Sequence, residues 1–406
     1  MAFSTAHLIY LAALFALTMA VVWRRSVFFR RFVGVMLGLL SLLWLGLFSQ
    51  LDWPLGALAM ALELLSAIHL MRLRNARLRS VPYRAFISIP GLWFAASTFV
   101  ALPFAILGAF GVHTPAFLLA FAAGAFGVYQ SLSHRLEVVD LKLDGEDRGE
   151  LKPTPVPRRA LKAAPTHEGR PMRIVQITDP HLGPFMSVAQ LRAVCERAVA
   201  MDPDLVLITG DLLTMESHNA AASVAEAFSP LRALSGRVFA CHGNHDHEDR
   251  RTVREGLEGA GVRLLVDEWA RVSTPAGQVD IVGADYHWKA RAEKLRTLFD
   301  GHERDGTPRI LLLQHPGHIR DVPEGEADLT LSGHTHGGHV GLLSLGLQWT
   351  FVRGFSSMPD HGLWSRGRDR IYTHRGTGHY GFPVRLGVPR EESLLRVWFD
   401  GPAQAA

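Results

Sequence analysis

Hydropathy divides the chain into two regimes. Long apolar runs occupy 6–23, 32–49, 54–71, 86–111 and 114–132. The first, AHLIYLAALFALTMAVVW, is eighteen residues without a formal charge, close to the roughly 20 that a helix needs to cross a bilayer. The pattern predicts five membrane helices, with Pro90 and Pro103 interrupting the fourth. The start MAFSTAH has no Lys or Arg, and further apolar runs follow up to residue 132, which argues against a cleavable signal peptide. From 173 onward the apolar runs become short and β-branched, each stopped by Gly or polar residues: RIVQITD (173–179), DLVLITGD (204–211), RVFACHGNHD (237–246), VDIVGAD (279–285), RILLLQHP (309–316) and LTLSGHTHGG (330–338). These read as buried strands. Helical stretches at 188–201 and 220–234 alternate with the first of them, as in an α/β domain. Between the two regimes RLEVVDLKL (135–143) is strand-like, and Pro153, Pro155, Pro157, Pro165 and Pro171 then predict an unpaired tether, because proline donates no backbone N–H. The expected organisation is an anchor over 1–132, a linker over 133–171 and a globular domain over 172–402.

Charge follows the same division. Residues 1–132 hold nine Arg, no Lys and two acids, a net +7, whereas 133–406 carry 33 basic and 36 acidic side chains, a net −3. The acidic balance of the globular part argues against a nucleic-acid partner. All nine Arg fall in two segments, 24–31 and 71–84. Cytoplasmic loops retain Lys and Arg, so five crossings place the globular part in the cytoplasm, on a multi-pass inner-membrane protein. Glu63, within the third run, is expected to face the helix bundle rather than an ion path. Two cysteines, Cys195 and Cys241, cannot build a disulfide framework and are expected to be buried.

The chemistry lies where the strands stop. Five of the six end in metal-binding groups: Asp179 with His181, Asp211, Asn244 with His245, His315, and His334 with His336. In open α/β sheets ligands bind outside the carboxyl ends of the strands, so these groups are expected to converge. Oxygen donors mixed with imidazoles suit Mn, Fe or Zn rather than Ca or Mg. They are too many for one ion, so two divalent ions sharing a carboxylate are expected. His242, His247, His318 and His339 adjoin these motifs and are candidates for lining the pocket. No P-loop, nucleophile elbow or dinucleotide fingerprint is present in the sequence.

These residues resemble the calcineurin-like metallophosphoesterases. The resemblance rests on D-P-H-L-G (179–183), G-D (210–211), G-N-H-D (243–246), Q-H-P (314–316) and G-H-T-H-G-G (333–338), in the family's order, and covers about 172–400. R-G-T-G (375–378) with P-V-R-L-G (383–387) is similar to the membrane-tethered bacterial subgroup often called YkuE-like. The resemblance implies a four-layer α/β/β/α sandwich behind the helical anchor. It implies that Asp179, His181 and His336 hold one metal, that Asn244, His315 and His334 hold the second, and that Asp211 bridges them. A hydroxide activated by the metals would attack phosphorus, with His245 beside the leaving oxygen and Asp246 orienting it. Family members commonly have Gln where His339 stands. The anchor suggests a membrane lipid or lipid-linked phosphate as substrate, with no obligate protein partner, and a relative that cleaves the pyrophosphate of UDP-diacylglucosamine supplies a concrete model. Arg353, Arg375 and Arg385 are candidates for gripping a second phosphate. The alternatives are a general protein or nucleotide phosphatase localised by its anchor, or an inactive membrane scaffold.

Overall fold

The computed structural model describes residues 2–399 except Pro157 and Ala163, so the last three residues of the expected domain, 400–402, lie outside it. The chain forms two compact units, one of residues 1–131 with 380–386, the other of residues 132–379 with the segment from 387 onward.

The first unit is helical: α1 (Ala2–Val22), α2 (Val27–Phe48), α3 (Trp53–Arg72), α4 (Ile89–Val100), α5 (Leu102–Ala109) and α6 (Leu118–Leu132). Ser26 and Asp52 cap α2 and α3 by accepting the N–H groups of Phe29 and Leu55. Arg30 and Arg31, expected in a loop, lie within the first two turns of α2. Among the described residues, four helices are long and apolar enough to cross a membrane, or five if the pair bent by 63° between Val100 and Leu102 counts as one span. The bend adjoins Pro103, where the expected fourth run breaks. Trp44 stacks on Phe94 at 4.9 Å and donates to Thr98 Oγ1. Glu63 is buried within the bundle, its carboxylate 3.8 Å from His7 Nε2. Leu17, Val35, Leu42, Leu58 and Leu119 are exposed on the outer faces of these helices.

The second unit is a mixed α/β domain with two seven-stranded sheets. The first has the order β3-β1-β14-β4-β5-β6-β7, with β1 His134–Leu143, β3 Arg158–Ala160, β4 Met172–Ile177, β5 Leu205–Thr209, β6 Val238–Cys241, β7 Arg263–Leu264 and β14 Arg390–Phe399. The second has the order β2-β12-β13-β11-β10-β9-β8, with β2 Lys152–Thr154, β8 Glu268–Thr274, β9 Gly277–Gly283, β10 Arg309–Leu312, β11 Leu329–Ser332, β12 Gly362–Arg366 and β13 Asp369–Thr373. Their inner faces share one core, in which Ile174, Leu207 and Phe239 meet Ile281, Leu312 and Leu331. Outside the first sheet lie α7 (Val188–Ala200), opened by a Ser187–Gln190 capping box, α8 (Ala221–Phe228) and α9 (Arg250–Gly259). Cys195 and Cys241 are both buried.

The proline-rich stretch expected to be a free tether is built into these sheets. β1 pairs with β14 along ten residues, and β2 and β3 each close an outer edge. Proline is tolerated there because an edge strand has N–H positions that no neighbour uses. Parallel register, Ile174 beside Leu205 and Val206 beside Val238 in one sheet, Ile281 beside Ile310 and Ile310 beside Leu329 in the other, brings the carboxyl ends to a common level.

Candidate metal centre

The candidate ligands sit on the turns that leave β4, β5, β6, β10 and β11. Asp179, His181, Asp211, His334 and His336 all have φ between 49° and 68°, in the left-handed region that side chains other than Gly, Asn and Asp rarely adopt. Such strain persists where the surroundings over-determine it, and it clusters at functional sites. Two motif glycines are required by close approach: a Cβ on Gly243 would lie 2.1 Å from Asp211 Oδ1, and one on Gly333 would lie 2.0 Å from Asp179 Oδ2.

Asp179, His181 and His336 converge tightly enough to hold one ion, each offering a donor atom within 4.8 Å of the others. His181 Nδ1 donates to the Leu213 carbonyl at 3.0 Å, which fixes its tautomer and turns the Nε2 lone pair inward. That nitrogen lies 3.2 Å from His336 Nε2, which is itself 3.7 Å from Asp179 Oδ1. Asp211 Oδ2 is 3.9 Å from the same His181 nitrogen. Gln314 Nε2 ties the cluster together, donating to Asp211 Oδ2 at 2.9 Å and to Asp179 Oδ1 at 3.4 Å, and lying 3.2 Å from His334 Nδ1. On the other side the His315 and His334 rings stand 4.2 Å apart. Asn244, at the start of the short turn after β6, has its side-chain Oδ1 buried without a hydrogen-bond partner among the described residues. A buried acceptor left unpaired in this way is one that a bound cation satisfies.

Electrostatics agree with that donor set. Burial holds the His181 imidazole well below its ordinary range, lowers His334 to about 3 and lowers His315 to about 4, so all three are neutral, as ligands must be. Burial and the neighbouring Asp179 carboxylate push the Asp211 carboxyl above its ordinary range.

His245 differs from the other imidazoles. Burial works against its charge, but the Glu248 carboxylate bonded to Nδ1 at 3.0 Å and the nearby Asp211 outweigh it, so its pKa is raised. Its ring lies 5.3 Å from that of His181. Asp246 does not orient it. The Asp246 carboxylate accepts the backbone N–H groups of Asp211, Leu212 and Gly243, all at 2.8 Å, and so fastens the β5 and β6 turns together. Asp246→Ala would leave three buried donors unpaired at about 1–3 kcal/mol each, so thermal unfolding should show a loss of about 3 kcal/mol or more. Glu248→Gln removes the charge that keeps His245 protonated. The alkaline limb of the pH–rate profile should therefore move to lower pH, with metal content unchanged.

The remaining candidates separate. His318 and Tyr286 continue the ring array from His315, and His339 stands 5.0 Å from His336 and 5.5 Å from His379. His242 and His247 both bind Asp285 at 2.9 Å, and the other oxygen of that carboxylate accepts from Arg250. Arg353 is held by Asp360 at 2.9 Å, and Arg375 is buried against Glu137 and Glu391, so neither offers an uncompensated charge to a phosphate. Arg385 is buried. Gln314, Glu248 and His379 went unassigned in the sequence, although Gln314 lies inside a quoted motif and Glu248 lies three residues after His245.

Residues 172–338 match the family model described as calcineurin-like phosphoesterase. Phosphodiesterase YaeI of Escherichia coli is 28% identical over 232 residues, 56% of this chain and 82% of its own. A transmembrane protein with metallophosphoesterase domain from Danio rerio is 29% identical over 235 residues, and this chain spans only 52% of its length while contributing 54% of its own. The uncharacterized metallophosphoesterase YkuE of Bacillus subtilis is 27% identical over 221 residues, 53% of this chain and 74% of its own. Together with the strand-end motifs and their geometry, these likenesses identify residues 172–338 as a calcineurin-like metallophosphoesterase domain, that of a hydrolase acting on phosphoester bonds.

Proposed function

We propose that the chain is a membrane-anchored phosphoesterase using two divalent metal ions, Mn, Fe or Zn, to hydrolyse a phosphodiester or pyrophosphate bond of a lipid-linked substrate at the cytoplasmic face of the inner membrane. The observation that carries this reading is the convergence of Asp179, His181 and His336, with Asp211 beside them and the buried Asn244 Oδ1 lacking a partner. Asp179, His181 and His336 would hold one ion, Asn244, His315 and His334 the other, and Asp211 both. Two such ions, when bound, lower the pKa of water and offset charge on phosphoryl oxygens.

The chain's own residues do the rest. Gln314 holds the Asp179 and Asp211 carboxylates at a fixed separation, and the Leu213 carbonyl fixes the His181 tautomer. Glu248 on Nδ1 favours the His245 cation, whose Nε2–H would serve the departing oxygen. The diester preference is supported by the name of the Escherichia coli relative, a phosphodiesterase. The lipid class is supported by the apolar helices, and the cytoplasmic side by the Arg residues at 24–31 and 71–84.

The test compares hydrolysis of UDP-diacylglucosamine in detergent with that of bis-p-nitrophenyl phosphate by Mn-loaded protein. A higher kcat/KM for the lipid supports the lipid-linked substrate. Turnover of the soluble diester alone would leave a phosphodiesterase whose anchor serves only to localise it.

A further inference from the structure

The turn that carries His334 and His336 continues directly into an apolar strap. Val340 and Phe351 pair at 2.7 Å, Leu342 and Trp349 at 2.9 Å, and Gly341 faces Thr350 across an antiparallel bridge, so both ends are tied and the middle projects. The side chains that project are Leu342, Leu345, Leu347, Trp349, Phe351 and Phe355, with Leu345 75% and Phe355 77% exposed. Among the described residues of the second unit, eight large apolar side chains are exposed and six lie on this strap, the others being Leu161 and Trp288. A patch of that kind marks an interaction site rather than chance exposure.

Charge beside the strap narrows the partner. A groove of about 510 Å³ is lined by Leu343 and Gly346 of the strap together with Arg135, Arg158, Arg159 and Arg375. Arg158 and Arg375 are matched by Glu137 and Glu391. Arg135 and Arg159 are exposed and, among the described residues, have no carboxylate partner. Chain connectivity bounds the position of one lining residue, Arg135. Only Ser133 separates α6, which ends at Leu132, from β1, which begins at His134. At about 3.8 Å per residue the Arg135 backbone lies within about 11 Å of the end of that apolar helix.

From this juxtaposition we propose that the strap 342–355 lies in the interfacial layer of the bilayer that α6 enters, with Arg135 and Arg159 against the phosphates of anionic lipids. Trp349 and the leucines suit the boundary between headgroups and acyl chains, and paired arginines are drawn to an anionic leaflet. The proposal rests on reading α6 as a membrane span. It adds to the proposed function that a substrate's acyl portion stays in the bilayer while its phosphoester reaches the turn of His334 and His336.

The full chain in nanodiscs tests this, using nitroxide labels on Leu345→Cys and Phe355→Cys with Arg251→Cys as the water-exposed control. Cys195 and Cys241 are buried and do not compete for the label. At 345 and 355 the ratio of oxygen to nickel-chelate accessibility should be several-fold above that at 251. In phosphatidylcholine supplemented with phosphatidylglycerol it should rise further, and the Arg135→Gln/Arg159→Gln variant should lose that increment. Labels as open to nickel at 345 and 355 as at 251 overturn the proposal. So does protection from both reagents, the signature of a second protein surface, and an unchanged ratio on adding phosphatidylglycerol overturns the headgroup contact. Mn-dependent cleavage of bis-p-nitrophenyl phosphate by the same samples shows separately whether the phosphoesterase reading stands.

Discussion

Asp211→Asn is expected to lower kcat/KM for bis-p-nitrophenyl phosphate by about 10³-fold or more, because it removes the carboxylate proposed to serve both ions. A metal pair that offsets several kcal/mol of transition-state charge corresponds to losses of that order, at about 1.4 kcal/mol per tenfold. Asparagine keeps the shape, and its side-chain oxygen still accepts the His245 N–H that Asp211 Oδ1 accepts at 2.9 Å. What disappears is the negative charge, and with it the acceptor that Asp211 Oδ2 offers to Gln314 Nε2 at 2.9 Å. That charge is buried beside Asp179, which raises the Asp211 pKa above its ordinary value. A group with a raised acid pKa is destabilising at neutral pH when it is ionised, so the metal-free variant should unfold at the same temperature as metal-free wild type or higher. Added Mn should raise the wild-type midpoint by more than that of the variant. Loss of activity with retained stability then separates missing metal from a misfolded domain.

His245→Ala should act differently. Burial opposes its charge, Glu248 and Asp211 raise its pKa nonetheless, and it takes no part in the Asp179, His181 and His336 group, so metal content should not change. A positioned acid contributes about 10²–10⁴-fold, and its contribution grows with the basicity of the leaving oxygen. Cleavage that expels an alkoxide should therefore fall by something near the upper figure. Release of p-nitrophenolate, which needs little protonation, should fall far less. Equal losses on both substrates would argue that His245 binds the phosphoryl group rather than donating a proton.

Much of the site was legible because it lies at strand ends. Short buried strands announce themselves by composition, and parallel register then converts separations such as that between Asp179 and His336 into donor atoms a few ångströms apart. The partners of those ligands were less legible. Gln314, the Leu213 carbonyl and Glu248 act through hydrogen bonds that no spacing rule forecasts. Asp246 was expected to orient His245 because the two are adjacent, but its carboxylate points to three backbone N–H groups instead. Within the proline-rich segment, strand pairing has a physical reason. Pro153 sits on β2, at the edge of its sheet, where a missing N–H does no harm. β14 escaped notice because Glu391, Glu392 and Arg396 look like surface residues, whereas each is buried against an opposite charge: Arg158, Arg197 and Asp140. Pairing of that kind depends on residues more than a hundred positions away, and hydropathy cannot report it.

The central claim is the metal pair. Its most direct measurement is metal content per chain after chelation and equilibrium dialysis against Mn, with wild type beside Asp211→Asn. Wild type should bind two ions and the variant fewer than two. A chain that binds no metal, or an Asp211→Asn variant that retains both ions, would contradict the metal pair.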